Sequence, residues 1–109
     1  MKIYIHTDLE GISCLTDYEM ELNTDTGRGI TYLKEILTAE INSAIEGILE
    51  ACNNNGISDI EIVVQDGHGG GYWGSNILAE KLNPKANVIL GRRPFELTGM
   101  DNSFDALFN

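Results

Sequence analysis

Between Ile30 and Asn53 the apolar residues Leu33, Ile36, Leu37, Ile41, Ala44, Ile45, Ile48 and Leu49 recur at intervals of three and four. Lys34, Glu35, Glu40, Asn42, Glu46 and Glu50 fall mostly between them, so one apolar stripe runs along an amphipathic α-helix. Asn53-Asn54-Asn55-Gly56 supplies residue types that accept a left-handed backbone, and the helix is predicted to stop there. Lys2-Ile3-Tyr4-Ile5-His6 has instead the β-branched and aromatic content of a short strand. Ile60-Glu61-Ile62-Val63-Val64 is a nearly unbroken β-branched run, the pattern of a strand covered on both faces and paired in parallel.

Leu15 to Gly29 is polar and without period, which predicts a loop long enough to carry function. Ser75 is placed to cap a shorter helix through Asn76, Ile77, Leu78, Ala79 and Leu82, ended by Pro84. Asn87-Val88-Ile89-Leu90 reads as a third strand closed by Gly91, and Phe104 to Phe108 as the start of a fourth. Strands alternating with helices define an α/β fold with right-handed crossovers, a mostly parallel sheet and a three-layer αβα-like build. Residues 1–109 are expected to form one domain with its last strand truncated.

Charge narrows the range of partners. Lys and Arg total 7 against 17 Asp and Glu, a formal net charge of -10. Such a surface disfavours nucleic acid and anionic membrane and favours cations. Nothing resembles a signal peptide, and no apolar run is long enough to span a bilayer, so a cytoplasmic, soluble protein is expected. The 109 residues, 42% of them hydrophobic, suffice for one core. Cys14 and Cys52 have neither metal-type nor redox-type spacing and read as free thiols in a reducing compartment.

The candidate chemistry gathers at one edge. Strands of an open parallel sheet all point their carboxyl ends the same way, and ligands bind there. Asp8, Glu10, Asp66 and His68 lie at or just beyond such ends. If the first strand stays extended through Glu10, its alternation places His6, Asp8 and Glu10 on one side. A right-handed crossover through the long helix would bring His68 to the same space. Two carboxylates and an imidazole suit zinc or another first-row divalent ion, with Asp66 as a candidate to orient His68 from behind or to turn the loop. The bland readings are turn-forming acids, a solvated histidine and an ordinary strand residue at His6. Gly69, Gly70 and Gly71 allow close backbone approach or, as a competing idea, an anion cradle, but "DGHGGGYWGS" has neither P-loop nor dinucleotide-binding glycine spacing. Tyr72 and Trp73 read as packing over the glycines, and Arg92 and Arg93 as solvated or ion-paired.

Four ordered stretches carry a resemblance: "TDLEG" (Thr7 to Gly11) with Ile12-Ser13, "DGHGG" (Asp66 to Gly70), "GRRPFELTGMD" (Gly91 to Asp101) and "SFDALF" (Ser103 to Phe108). With the helix "LTAEINSAIEGILEA" (Leu37 to Ala51), they make the chain resemble the zinc-dependent D-aminopeptidases of the DppA type over nearly its whole length. The resemblance implies that Asp8, Glu10 and His68 bind a pair of zinc ions, with Asp8 as bridge. It also implies a cytoplasmic, ring-like homo-oligomer that removes N-terminal D-amino acids from short peptides. The family's remaining metal ligands and its catalytic His lie beyond Asn109, so no catalytic residue is expected in this chain. An N-terminal part of a longer enzyme, inactive alone, is therefore expected, rather than a site completed by another chain. A non-catalytic α/β module that binds a metal or another ligand is the alternative, and a phosphate or nucleotide binder a more remote one.

Overall fold

The computed structural model describes residues 1–13, 15–23, 27–68, 74–91 and 97–109. Cys14, Gly69, Gly70, Gly71, Tyr72, Trp73, Arg92 and Arg93, for which readings were given above, lie outside the described residues. Four strands form one sheet: β1 (Lys2–Thr7), β2 (Glu61–Asp66), β3 (Ala86–Ile89) and β4 (Ala106–Phe108). Their spatial order is β3-β2-β1-β4, and every neighbouring pair is parallel. The fold is thus α/β, as the alternation of strand and helix patterns predicts.

A 26-residue helix, α2 (Gly29–Asn54), covers one face of this sheet. Its stripe of Leu33, Leu37, Ile41, Ile45 and Ile48 is buried against Ile3 and Ile5 of β1 and Ile62 and Val64 of β2. Leu9, Ile12, Ile77 and Leu82 close the ends of the same core. Each fully buried aliphatic side chain here contributes about 1.5–3 kcal/mol through area removed from water. The helix ends where the asparagine run predicts, with Gly56 at φ +72° and Ile57 N–H returned to the Cys52 carbonyl at 2.9 Å. Period-two alternation sends Tyr4 to the other face. There its ring meets Phe104 edge-on at 5.2 Å, and its hydroxyl lies 2.6 Å from both Gln65 Oε1 and the Thr98 carbonyl oxygen.

Three local expectations are corrected. β1 does not stay extended through Glu10; it ends at Thr7, and Leu9–Gly11 form a 3₁₀ turn. The cause is Leu9, which is completely buried and draws the chain inward just past the strand. The segment read as a loop contains a short helix, α1 (Tyr18–Leu22), whose Tyr18 and Leu22 pack on the core. A bidentate pair from Arg28 to Glu21, with Nε–Oε2 at 3.0 Å and Nη2–Oε1 at 2.8 Å, ties this helix to the start of α2. Finally, the helix expected after Ser75 is only a 3₁₀ turn, Ala79–Lys81. Ser75 does not cap it, because its hydroxyl donates to the Ile77 carbonyl at 2.6 Å.

Cys52 is a buried free thiol. Among the described residues no helix is long and apolar enough to cross a membrane.

Candidate metal centre

The site is built on the two central strands. β1 and β2 are paired in register along their length, ending with Thr7 opposite Asp66. The ladder runs one step further, as Gly67 N–H donates to the Thr7 carbonyl at 2.8 Å. Only glycine fits at that step: a Cβ on residue 67 would fall on the Thr7 carbonyl oxygen and 2.5 Å from His6 Nε2. This close approach sets Asp8, one residue past β1, beside His68, two residues past β2.

The 3₁₀ turn then swings Glu10 to the same place. His68 Nδ1 lies 3.1 Å from Asp8 Oδ1 and in direct contact with Glu10 Oε2. One donor atom from each of Asp8, Glu10 and His68 falls within 4.8 Å of the other two. The imidazole is 15% exposed, whereas the acids are 59% and 48% exposed, so an entering ion meets carboxylates first and the ring behind them. Burial alone would raise the Asp8 carboxyl; hydrogen bonding with Glu10 and His68, the charge of His68 and the Leu9 backbone N–H outweigh it and hold it below the ordinary range. Asp8 is therefore an anion at neutral pH. Among the described residues no lysine or arginine pairs with Asp8 or Glu10, although other acids have such partners at Glu21, Glu35 and Glu61. Two oxygen donors and one nitrogen donor, with no lysine or arginine among the described residues paired to them, fit a first-row divalent metal ion.

Two further contacts hold His68. Its Nε2 lies 3.1 Å from the Tyr18 hydroxyl, and the two rings tilt together at 5.5 Å. Burial, with the nearby Glu10 and Asp8 charges, pushes the Tyr18 phenol upward, so it stays protonated at neutral pH. The second contact is with the backbone. Asn76 Nδ2 donates to the His68 carbonyl at 3.1 Å and to Asp66 Oδ1 at 3.0 Å, while the Asn76 backbone N–H donates to Asp66 Oδ2 at 2.6 Å. Asp66, fully buried, thus holds His68 through Asn76 and not through the ring. His6 lines the same cavity but is not one of the clustered donors, and its Nδ1 lies 2.8 Å from Asn109 Oδ1. Tyr18 and Asn76 are site residues that sequence reasoning did not single out; one sits in an aperiodic stretch and the other was assigned to a helix.

A cavity of about 800 Å³ opens beside the three groups, with Leu22, Ile30 and Lys34 on its far wall. It is large enough for a small ligand and places the acids and imidazole on its lining.

These features define the class: an α/β domain with an acid and imidazole cluster in a cleft at the carboxyl edge of a parallel sheet. The chain belongs to the M55 peptidase family, described as D-aminopeptidase, which matches residues 1–109. Peptidases of this family are metal-dependent hydrolases. The chain is also 36% identical over 113 residues to the D-aminopeptidase of Bacillus subtilis (strain 168). That match covers 99% of this chain and 36% of the relative, so the chain spans about a third of the relative's length. No solved structure matches it.

Proposed function

We propose that the chain is the metal-binding first part of a zinc-dependent aminopeptidase that releases N-terminal D-amino acids from short peptides. Asp8, Glu10 and His68 hold zinc, and the intact enzyme binds two ions with further ligands from outside these residues. The observation that carries this reading is the meeting of those three side chains in a chain of the D-aminopeptidase family. When bound, the metal supplies Lewis acidity, which makes a water molecule a competent nucleophile at neutral pH and polarises a scissile carbonyl.

The chain's own residues do the rest by placement. The exposed carboxylates of Asp8 and Glu10 attract the cation, and a net charge of -10 raises its local concentration. His68 supplies the nitrogen donor from the inner wall, held by Tyr18 and Asn76. The cavity beside them accepts a short peptide with its terminal amide toward the acids. The three side chains provide neither a general acid nor a full ligand set for two ions, so these residues alone do not turn over substrate. We place the enzyme in the cytoplasm as a ring-like homo-oligomer acting on peptides, with no role for nucleic acid or membrane.

Calorimetric titration of the 109-residue chain with zinc tests the assignment. One ion is expected to bind, and Asp8→Ala and His68→Ala should each weaken it by at least ten-fold. Zinc uptake unchanged in both variants would remove the site. Hydrolysis of a D-alanyl dipeptide by the 109 residues alone would overturn the statement that they lack the catalytic groups.

A further inference from the structure

The cavity beside the metal centre carries opposite charges on its two sides. Asp8 and Glu10 line one side, and Lys34 on the far wall is the one lysine or arginine among the described lining residues. Lys2, Arg28 and Lys81 are each paired with a glutamate, whereas among the described residues no carboxylate pairs with Lys34. The chain has 17 acids against 7 lysines and arginines, so such a cation stands out. Acids and ammonium share one cavity without neutralising each other, and the space between them suits a molecule with a cationic and an anionic end. A short peptide with both termini free is such a molecule.

Lys34 is held for this contact. It lies one turn after Ile30 on α2, so the two side chains leave the same face of the helix. Its Nζ donates to the Ser75 carbonyl at 2.7 Å. An ammonium has three N–H donors, so that bond fixes its position and leaves two for a ligand. Ser75 is followed by Asn76, whose side-chain amide donates to the His68 carbonyl at 3.1 Å. The cation and the imidazole are therefore tied to consecutive residues, and a short stretch of backbone sets the span between the far wall and the metal donors. Leu22 and Ile30 add apolar surface to the same lining, where aliphatic parts of a ligand can rest.

We propose that Lys34 is a specificity-determining residue that binds the free C-terminal carboxylate of the substrate, so that the site selects short peptides with an unblocked C-terminus. An ammonium–carboxylate hydrogen bond is charge-assisted and stronger than its neutral counterpart. A C-terminal carboxamide keeps the shape of the peptide but loses the charge, and it sets an N–H₂ donor group where an acceptor oxygen stood. A longer peptide carries its carboxylate out of the cavity and forgoes the contact.

This inference rests on the aminopeptidase reading above, and its test separates the two. The zinc-loaded 109-residue chain is titrated with D-alanyl-D-alanine and with D-alanyl-D-alanine amide, followed by NMR, in wild type, Lys34→Met and Lys34→Arg. Wild type should bind the acid about ten- to a hundred-fold more tightly than the amide. Lys34→Met keeps most of the side chain's apolar stem and should erase that preference while zinc affinity stays the same. Lys34→Arg keeps the charge and should keep most of the preference. An amide that binds wild type as well as the acid does, or binding of neither peptide, overturns the role of Lys34. So does a preference that survives Lys34→Met, which would place the carboxylate on the metal itself. A loss in Lys34→Arg as complete as in Lys34→Met would trace the effect to the Ser75 contact and overturn the proposal too. The metal reading is decided separately, by zinc titration of Asp8→Ala and His68→Ala: uptake unchanged in both, with the acid preference still dependent on Lys34, removes the metal site and leaves the carboxylate site standing.

Discussion

Asp66 shows how much one carboxylate can organise from beneath a surface. It has no measurable exposure, and both of its oxygens are taken by a single neighbour, Asn76. Replacing it by Asn exchanges one acceptor for an N–H₂ group facing another N–H, which leaves a buried donor unpaired at a cost of about 1–3 kcal/mol. Asp66→Asn is expected to unfold at lower urea by that amount, with the slope of the transition unchanged. The folded variant should also bind zinc less tightly, because the Asn76 amide that grips Asp66 also grips the His68 carbonyl. At this scale the sequence was informative through the placement of residue types and not through the types alone. Singly, Asp8, Glu10 and His68 each have an ordinary use as a turn former or a solvated group, and they stand out only by their joint placement at one edge of the sheet. Tyr18 did not, since nothing in a tyrosine's neighbours along the chain announces that its hydroxyl will meet a ring 50 residues away.

The elements divide by length. α2 was legible throughout because seven turns repeat the same apolar interval, and its end at Asn54 is set by local backbone preference. Short elements carry no such averaging. The five residues of α1 have one turn of pattern, and the 75–82 segment contains signals that the structure uses otherwise. Its hydrogen bonds go to tertiary partners: Lys34 Nζ donates to the Ser75 carbonyl at 2.7 Å, and Leu78 N–H donates to Thr38 Oγ1 at 3.0 Å. Thr38 is the pivot, for its hydroxyl also donates to the Lys34 carbonyl at 2.8 Å while its side chain is buried. Thr38→Val keeps the shape of the side chain but orphans Leu78 N–H, and should cost about 1–3 kcal/mol in thermal unfolding. The loss should be seen as earlier exchange of the amides that follow Ser75, with α2 still fully helical by circular dichroism. β1 covers its expected residues, and the condition that it stay extended through Glu10 fails for a related reason: alternation of side chains predicts faces, but only burial of Leu9 decides where extension stops.

For the whole molecule, the relevant quantity is the coupling of ion binding to folding. The acids follow β1, the imidazole follows β2, and the two strands meet only in the folded sheet. Any ion held by Asp8, Glu10 and His68 therefore binds the native state and not the disordered chain, and stabilises the fold by mass action. At free zinc one hundred times the dissociation constant the gain is about 2.7 kcal/mol. For a domain of this size that raises the melting temperature by about 10–20 °C, to be read by calorimetry and reversed by chelator. Magnesium at the same concentration should give a much smaller shift, since a nitrogen donor adds little for a hard cation. The overall architecture was legible from the alternation of strand and helix patterns, and the neighbouring of β1 and β2 from the handedness of the crossover. The position of β4 on the far side of β1 was not, because three residues of strand hold no information about which edge they will join.

The absence of a side chain at residue 67 has one more consequence. Since the Gly67 amide donates to the Thr7 carbonyl and a Cβ there would strike both that oxygen and the His6 ring, the two strand tips approach more closely than any side chain at residue 67 would permit. The backbone separation of Asp8 from His68 is consequently inherited from the middle of the sheet, while the 3₁₀ turn adds Glu10. Opening of the Leu9–Gly11 turn would release Glu10, whereas the backbone approach of Asp8 to His68 is lost only when the central pair of strands parts.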